Sequence, residues 1–156
     1  MKRFTGALAA CAVFVALAIV PATAGSANKL RIENENSSSI TLNTSSPGFC
    51  GTFVSASTGG APPSTVAANS FSTSFSLVTS GCSGGINVAT FQYIGSNGEL
   101  VAQCTYSITG NDTFTFSASP APPCKVVFDP AGFTDFVFPS VGSAGKRPTK
   151  TIHLNR

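Results

Sequence analysis

One short stretch, Gly81–Gly85, has the residue types and spacing of a catalytic motif. It matches the G-x-S-x-G string that places a nucleophilic serine on a sharp turn, and an acid and the single histidine, His153, follow later in the chain. That turn needs a strand, a tight elbow and a helix within a larger α/β sheet. From Ile86 onward the sequence is instead typical of another strand, so we interpret the glycines as a turn around Cys82. A hydrolase that uses Ser83 and His153 is the less favoured alternative.

The other ionisable residues form no recognisable site in the sequence. The six acids mostly flank predicted strands and turns, lack the spacing of a calcium loop, and offer no inward-facing carboxylate pair. The cysteines lack the Cys-x-x-Cys spacing and the accompanying histidines of a metal site. We therefore predict no catalytic residue, no metal and no cofactor, and a protein that is not an enzyme.

The first 24 residues have the organisation of a signal peptide. Lys2 and Arg3 precede an almost continuous apolar run over residues 4–20, and small residues follow. We expect cleavage near Ala24 and secretion into the periplasm or the extracellular space. The remaining 132 of the 156 residues suffice for one domain, which we place at residues 25–145.

Four cysteines remain after that cleavage. An even number in an exported chain predicts two disulfides, because the receiving compartment is oxidising. Of the three pairings we favour Cys50–Cys82 with Cys104–Cys124, since each joins neighbouring segments through a modest loop. The other two pairings stay open.

Alternating apolar and polar residues predict a hairpin at the centre of the domain. Residues 88–94 and 99–108 flank Asn97-Gly98, a dipeptide that tolerates the positive φ angles of a tight turn. Similar short runs recur along the chain, with turns about every 8–12 residues and without helical spacing. The sequence therefore predicts an all-β fold, an antiparallel β-sandwich of immunoglobulin-like or jelly-roll-like architecture with about eight short strands.

Three segments carry more detailed expectations. Residues 69–78 alternate so that Phe71 and Phe75 share one face of a single strand. Residues 55–68 are mostly Ser, Thr, Gly, Ala and Pro and predict an exposed loop. The pattern of residues 124–128 predicts a strand in which every second side chain lies on one face: Cys124, Val126 and Phe128.

Charge is distributed unevenly along the chain. Residues 25–145 hold three basic and six acidic residues, whereas residues 146–156 hold four basic residues and no acid. We predict that this basic C-terminal tail binds an anionic surface, such as a membrane, or packs back onto the acidic body. The small overall excess of positive charge argues against nucleic-acid binding. The candidate surface-binding residues are Lys146, Arg147, Lys150 and Arg156.

These observations favour a secreted, non-catalytic binding module. We expect it to recognise a protein or a glycan through sandwich loops, with candidates at residues 55–68, 79–85 and 117–123. The alternatives are a membrane-active, cytolysin-like protein and an assembly formed through sheet edges. If the source is a eukaryote, three asparagines also begin N-glycan acceptor patterns: Asn36, Asn43 and Asn111.

Overall fold

The structure is a computed structural model that describes residues 25–56, 60–82, 85–95, 103–119 and 123–140. Within these ranges the chain forms eleven strands. Their bounds are β1 (Gly25–Asn34), β2 (Ile40–Ser46), β3 (Gly51–Ser55), β4 (Thr65–Val66), β5 (Ser70–Phe71), β6 (Phe75–Thr79), β7 (Val88–Gly95), β8 (Cys104–Thr109), β9 (Thr115–Ser119), β10 (Lys125–Phe128) and β11 (Thr134–Phe138). The predicted signal peptide over residues 1–24 lies outside the described residues.

The strands form two sheets that pack face to face. Sheet A has the order β10-β11-β1-β6-β3, with β5 also paired to β1, and sheet B has the order β4-β2-β7-β8-β9. Neighbouring strands run antiparallel, except that β1 and β11 run parallel. The predicted all-β sandwich is therefore confirmed, with one parallel pair inside sheet A.

The core is built largely from aromatic side chains of both sheets. The Phe91 ring of sheet B meets the Phe136 ring of sheet A edge to face, with 4.9 Å between ring centroids. Burying such rings contributes most of the apolar stabilisation of a domain this size. The largest side chains of the core with almost no exposure are Tyr93, Tyr106, Phe75, Phe91, Phe136 and Phe138.

The predicted central hairpin is confirmed as the antiparallel pair of β7 and β8. Cys104, Tyr106 and Ile108 point into the core, as their alternation predicted. The predicted Asn97-Gly98 turn lies outside the described residues.

Both favoured disulfides are present. Cys50 and Cys82 have their Cα atoms 5.9 Å apart, and Cys104 and Cys124 have theirs 5.8 Å apart. The second bond is buried and joins the start of β8 in sheet B to the residue before β10 in sheet A. The first bond joins two loops at one end of the sandwich.

The prediction of one continuous strand over residues 69–78 is wrong at its centre. Residues 72–74 separate β5 from β6, and the register with β1 shifts by one residue between the pairs Leu30–Phe75 and Glu33–Phe71. There the Ile32 N–H donates to the Ser72 hydroxyl (2.9 Å), and the Ser72 N–H donates to the Ile32 carbonyl (2.8 Å). Because a bulge shifts the alternation, Phe71 lies on the outer face and is half exposed, whereas Phe75 is buried.

The prediction of an exposed loop over residues 55–68 is wrong in its second half. Pro62, Pro63 and Val66 are buried, and β4 pairs with β2. The buried Tyr93 hydroxyl donates a hydrogen bond to the Pro63 carbonyl. Because a buried hydroxyl needs a hydrogen-bond partner, this bond holds the second half of the loop against the core.

The end of β10 also departs from the predicted alternation. Cys124 is buried and Val126 is partly buried against the core, but Phe128 is 66% exposed. Its ring has one aromatic neighbour among the described residues, Phe116, at 6.0 Å between centroids. Since β10 is an edge strand of sheet A, its last side chain is only partly covered.

Candidate functional site

The residues that the sequence singled out for catalysis or surface binding lie outside the described residues. This holds for Ser83, for His153 and for the basic tail of Lys146, Arg147, Lys150 and Arg156. The loops that join sandwich strands are described in large part. They contain the site that the structure does show.

Three connections meet at one end of the sandwich, which we call the loop end. They are residues 47–50 between β2 and β3, the described residues 80–82 and 85–87 between β6 and β7, and residues 110–114 between β8 and β9. The Cys50–Cys82 disulfide joins the first two connections. Beside it, the Ser80 N–H donates to the Cys50 carbonyl at 3.1 Å.

Asn87 ties all three connections together from a fully buried position. Its Nδ2 donates to the Pro47 carbonyl (3.1 Å), and its Oδ1 accepts a longer bond from the Cys50 N–H (3.5 Å). Its own carbonyl accepts from the Gly110 N–H at 3.3 Å. Gly48 has a φ of 82°, and a Cβ there would stand 2.1 Å from the Asn87 Oδ1. A glycine is therefore required where the first connection passes over Asn87.

A second set of polar contacts fixes the loop end from the side of β1. The buried Thr79 hydroxyl accepts from the Gly25 N–H (3.2 Å) and donates to the Asn111 Oδ1 (2.9 Å). The Asn111 Nδ2 donates to the Cys82 carbonyl at 2.9 Å. Hydrogen bonds and a disulfide thus hold the three connections in one arrangement.

This frame displays apolar side chains outward. Phe49 is 79% exposed, Ile86 is 68% exposed and Val88 is 47% exposed. The Phe49 ring passes over Gly85, since a Cβ there would lie 3.7 Å from its Cζ. We call Phe49, Ile86 and Val88 the loop-end patch. Large apolar side chains clustered on a rigid surface are typical of interaction sites.

Only part of this site is predictable from the sequence. The loop at residues 79–85, which includes Thr79, is a candidate in the sequence, but the segments that begin at Phe49 and at Ile86 predict strands, and the sequence gives Asn87 no role in binding. A buried asparagine that orders loops has no pattern of its own. The presence of Cys50 and Cys82 on either side was the one available signal.

A charged cluster on the outer face of sheet A has a structural role. The Arg31 guanidinium contacts both carboxylate oxygens of Asp135 (2.8 and 2.9 Å) and reaches Asp129 at 3.3 Å. It lies 3.8 Å from the Phe133 ring centroid and 4.5 Å from that of Phe71. The hydrogen bond with Asp135 raises the pKa of Arg31, opposed by desolvation. A charge held this way joins β1, β11 and the 129–133 turn and is not poised for proton transfer.

A shallow hollow of about 210 Å³ lies beside this cluster. The hydroxyl of Ser70, on its wall, donates to the Ala67 carbonyl. No histidine or cysteine lines it, and its ionisable lining residues are Glu33 and Glu35. Its lining residues are Glu33, Asn34, Glu35, Asn69, Ser70 and Phe71.

The asparagines of the three glycan acceptor patterns occupy different surroundings. Asn36 is buried and donates to the Phe138 carbonyl (3.2 Å), and Asn111 belongs to the loop-end frame. Asn43 is exposed, and its Nδ2 donates to the Gln92 Oε1 at 2.7 Å.

Among the described residues, no group of three or more His, Cys, Asp or Glu residues is placed to hold a metal ion. In the same part of the chain, no helix has the length and apolar character needed to cross a bilayer.

Fold and site together define a small all-β sandwich with two disulfides and a braced apolar loop end. No protein-family model matches the chain, and no curated protein is detectably similar to it. The chemistry of the surfaces is therefore the basis for proposing a function.

Proposed function

We propose that this protein is a secreted, non-catalytic binding module that recognises a partner through the loop end. The observation that supports the proposal is the pair of strongly exposed apolar residues, Phe49 and Ile86, on a frame held by a disulfide and by Asn87. A rigid surface loses little conformational entropy on binding. Apolar residues displayed on such a surface contribute affinity efficiently.

The composition of the patch favours a protein over a glycan. Phe49, Ile86 and Val88 offer no hydrogen-bonding side-chain group, and the described residues of the surrounding connections carry no charge apart from Asp112. Glycan recognition needs placed polar groups for the sugar hydroxyls. A protein partner can cover the patch with an apolar surface of its own.

Export is supported by the disulfides. Two disulfides are typical of the oxidising extracellular or periplasmic space. Secretion by cleavage near Ala24 belongs to the proposal. N-terminal sequencing of the protein recovered outside the cytoplasm tests it, and a mature chain that still begins at Met1 would refute it.

The patch is tested with the double variant Phe49→Ser/Ile86→Ser. Its matched control is Phe128→Ser, because Phe128 is also strongly exposed but lies on β10. Exported proteins that cross-link to the wild-type protein are purified, and their Kd for each variant is measured. We expect at least a tenfold weaker Kd for the patch variant, about 1.4 kcal/mol, and less than a twofold change for the control. If every captured protein binds both variants equally, the loop end is not the binding site.

A membrane-active protein would use the same patch differently. In that case wild-type protein would co-sediment with vesicles and release their contents, and Phe49→Ser/Ile86→Ser would abolish both effects. That result would replace the proposed protein partner with a bilayer. Truncation after Gly145, tested on anionic vesicles, separates any contribution of the basic tail over residues 146–156.

The proposal of a non-catalytic protein has its own test. If a hydrolytic activity is found, Ser83→Ala abolishes it only when Ser83 is the nucleophile. Loss of activity in that variant, with unchanged thermal unfolding, would replace the binding module with a hydrolase.

A further inference from the structure

The outer face of sheet B presents mostly hydroxyl groups among its described residues. Strand register and burial place fifteen side chains on that face, of which eleven carry a hydroxyl, two an amide and two an aliphatic group. We call this surface the hydroxyl face. Its members are Thr41, Asn43, Thr44, Ser46, Thr65, Val88, Thr90, Gln92, Ile94, Thr105, Ser107, Thr109, Thr115, Ser117 and Ser119.

The hydroxyls form rows across the sheet. Ser46 pairs with Thr90, Thr90 with Ser107, and Ser107 with Ser117, so that one row crosses four strands. Neighbouring strands are about 4.8 Å apart, and outward residues on one strand are about 6.8 Å apart. The result is a repeating two-dimensional array of groups that both donate and accept hydrogen bonds.

Charge is absent from this array although the protein has charges to place. Of the eight charged residues in the described ranges, seven lie on the strands and turns of sheet A, and Asp112 lies in the β8–β9 turn. Folding does not require this separation, since outward positions of both sheets tolerate charge. The seven are Lys29, Arg31, Glu33, Glu35, Lys125, Asp129 and Asp135.

The uncharged, hydroxyl-rich composition of this face limits the kinds of partner that it can bind. A charged surface would lose hydration against the hydroxyl face without meeting an opposite charge. A protein partner is disfavoured, because interface cores are enriched in aromatic residues and arginine and depleted in serine. A neutral polysaccharide matches, since its hydroxyls also donate and accept, and Val88 and Ile94 offer aliphatic contacts for its C–H groups.

We propose that the hydroxyl face binds a neutral, extended polysaccharide presented as an insoluble surface. Each hydroxyl contributes little, because its bond to a sugar replaces a bond to water. No aromatic residue points outward from the described part of this face, so a single sugar gains no stacking platform. Useful affinity therefore comes from many sugars on one polymer surface contacting many hydroxyls together.

This binding is separate from that of the loop end. The hydroxyl face covers the outer side of sheet B, whereas Phe49 and Ile86 project from the loop end, and Val88 lies where the two surfaces meet. A protein with both surfaces can hold a protein partner on a polysaccharide matrix. The two activities can also fail independently.

The test is co-sedimentation of the purified, disulfide-bonded full chain with microcrystalline cellulose and with chitin. Wild-type protein is expected to pellet with at least one of these polymers, and high salt is expected to leave the bound fraction unchanged, because no charge pairing is involved. Failure to pellet with both polymers overturns the proposal. Release of the protein by salt also overturns it.

The face is mapped with two matched double variants. Thr90→Ala/Ser107→Ala removes hydroxyls from one row, and Thr52→Ala/Ser76→Ala removes a threonine and a serine that point outward from sheet A. We expect about a tenfold lower affinity for the first variant and no change for the second. Equal behaviour of the two would place the binding elsewhere. Ser117→Lys provides a third measurement and is expected to weaken binding.

Discussion

Removing each disulfide in turn separates global stability from the order of the loop end. In the chain-entropy description, a bond closing 32 residues (Cys50–Cys82) contributes about 3.7 kcal/mol, and one closing 20 residues (Cys104–Cys124) about 3.3 kcal/mol. Replacement by alanine also deletes buried sulfur, at about 0.8 kcal/mol for a group of that size. Both cysteines of the second bond are buried, but only Cys82 of the first is.

The larger loop entropy of the Cys50–Cys82 bond is nearly balanced by the larger amount of buried sulfur in the Cys104–Cys124 bond. We expect Cys50→Ala/Cys82→Ala and Cys104→Ala/Cys124→Ala each to lower the free energy of unfolding by about 4–5 kcal/mol. Urea denaturation of the oxidised proteins measures this. A difference above about 2 kcal/mol between the variants would refute this balance of loop entropy against buried sulfur.

Local order distinguishes the two variants. The Ser80 N–H bonds to the Cys50 carbonyl, and the Gly110 N–H bonds to the Asn87 carbonyl, so both report on the loop end. Native-state hydrogen exchange should show these amides losing protection in the first variant by more than global destabilisation explains. In the second variant they should follow global unfolding. Equal exchange in both variants would show that the disulfide does not brace the loop end.

Two further predictions concern ionisable groups. Arg31→Ala leaves the carboxylate of Asp135 buried without its partner and should cost about 3–5 kcal/mol in urea denaturation, whereas Asp129→Ala removes a more exposed partner and should cost less than about 1 kcal/mol. Burial raises the pKa of Tyr93 and of Tyr106, so the unfolded chain releases these protons first as pH increases. The contribution of the two tyrosines to stability should therefore be constant below about pH 10, and above it stability should fall by about 1.4 kcal/mol per pH unit for each tyrosine. Tyr106→Phe should halve that slope in denaturation at alkaline pH, and an unchanged slope would contradict the assignment.

The central hairpin was predictable because its two strands are regular. From Val88 to Ile94 and from Cys104 to Ile108 each residue changes face, and no bulge interrupts the register between β7 and β8. The disulfides were predictable for a related reason, since Cys104 belongs to the inward set of its strand. Local alternation carries this information directly.

The prediction put Phe71 on the wrong face of the sheet. The sequence of residues 69–78 alternates without interruption, but the bulge between Phe71 and Phe75 reverses which face the alternating residues occupy. Residues 72–74 give no sign of the break, since it depends on hydrogen bonds with Ile32, far away in the chain. Pro63 was missed for a comparable reason. Its carbonyl is needed by Tyr93, and no composition rule states which loop will supply an acceptor to a buried hydroxyl.

The sequence predicts that a turn lies at the loop end, but it does not predict which side chains are exposed there. Cys82 and its glycines marked a turn, but Phe49 and Ile86 fitted strand patterns, and apolar residues are expected to point inward. Their exposure follows from the frame that Asn87 and Thr79 build, which depends on three connections meeting in space. Such a convergence becomes visible only when the strand order is known.

In a β-sandwich, packing of the core constrains the inward-facing residues but not the outward-facing ones. The inward positions of β7 and β8 must be apolar for the sheets to pack, but their outward positions are free to be charged or neutral. Selection for solubility alone would use charge on both sheets. Among the described residues, seven of the eight charges stand on sheet A and its turns, the outer face of sheet B carries hydroxyls, and Phe49 and Ile86 are exposed at the loop end. Folding does not require charged, hydroxyl and apolar residues to lie on different surfaces. We therefore infer that the distribution of these residues reflects the binding that we propose for the loop end and for the hydroxyl face.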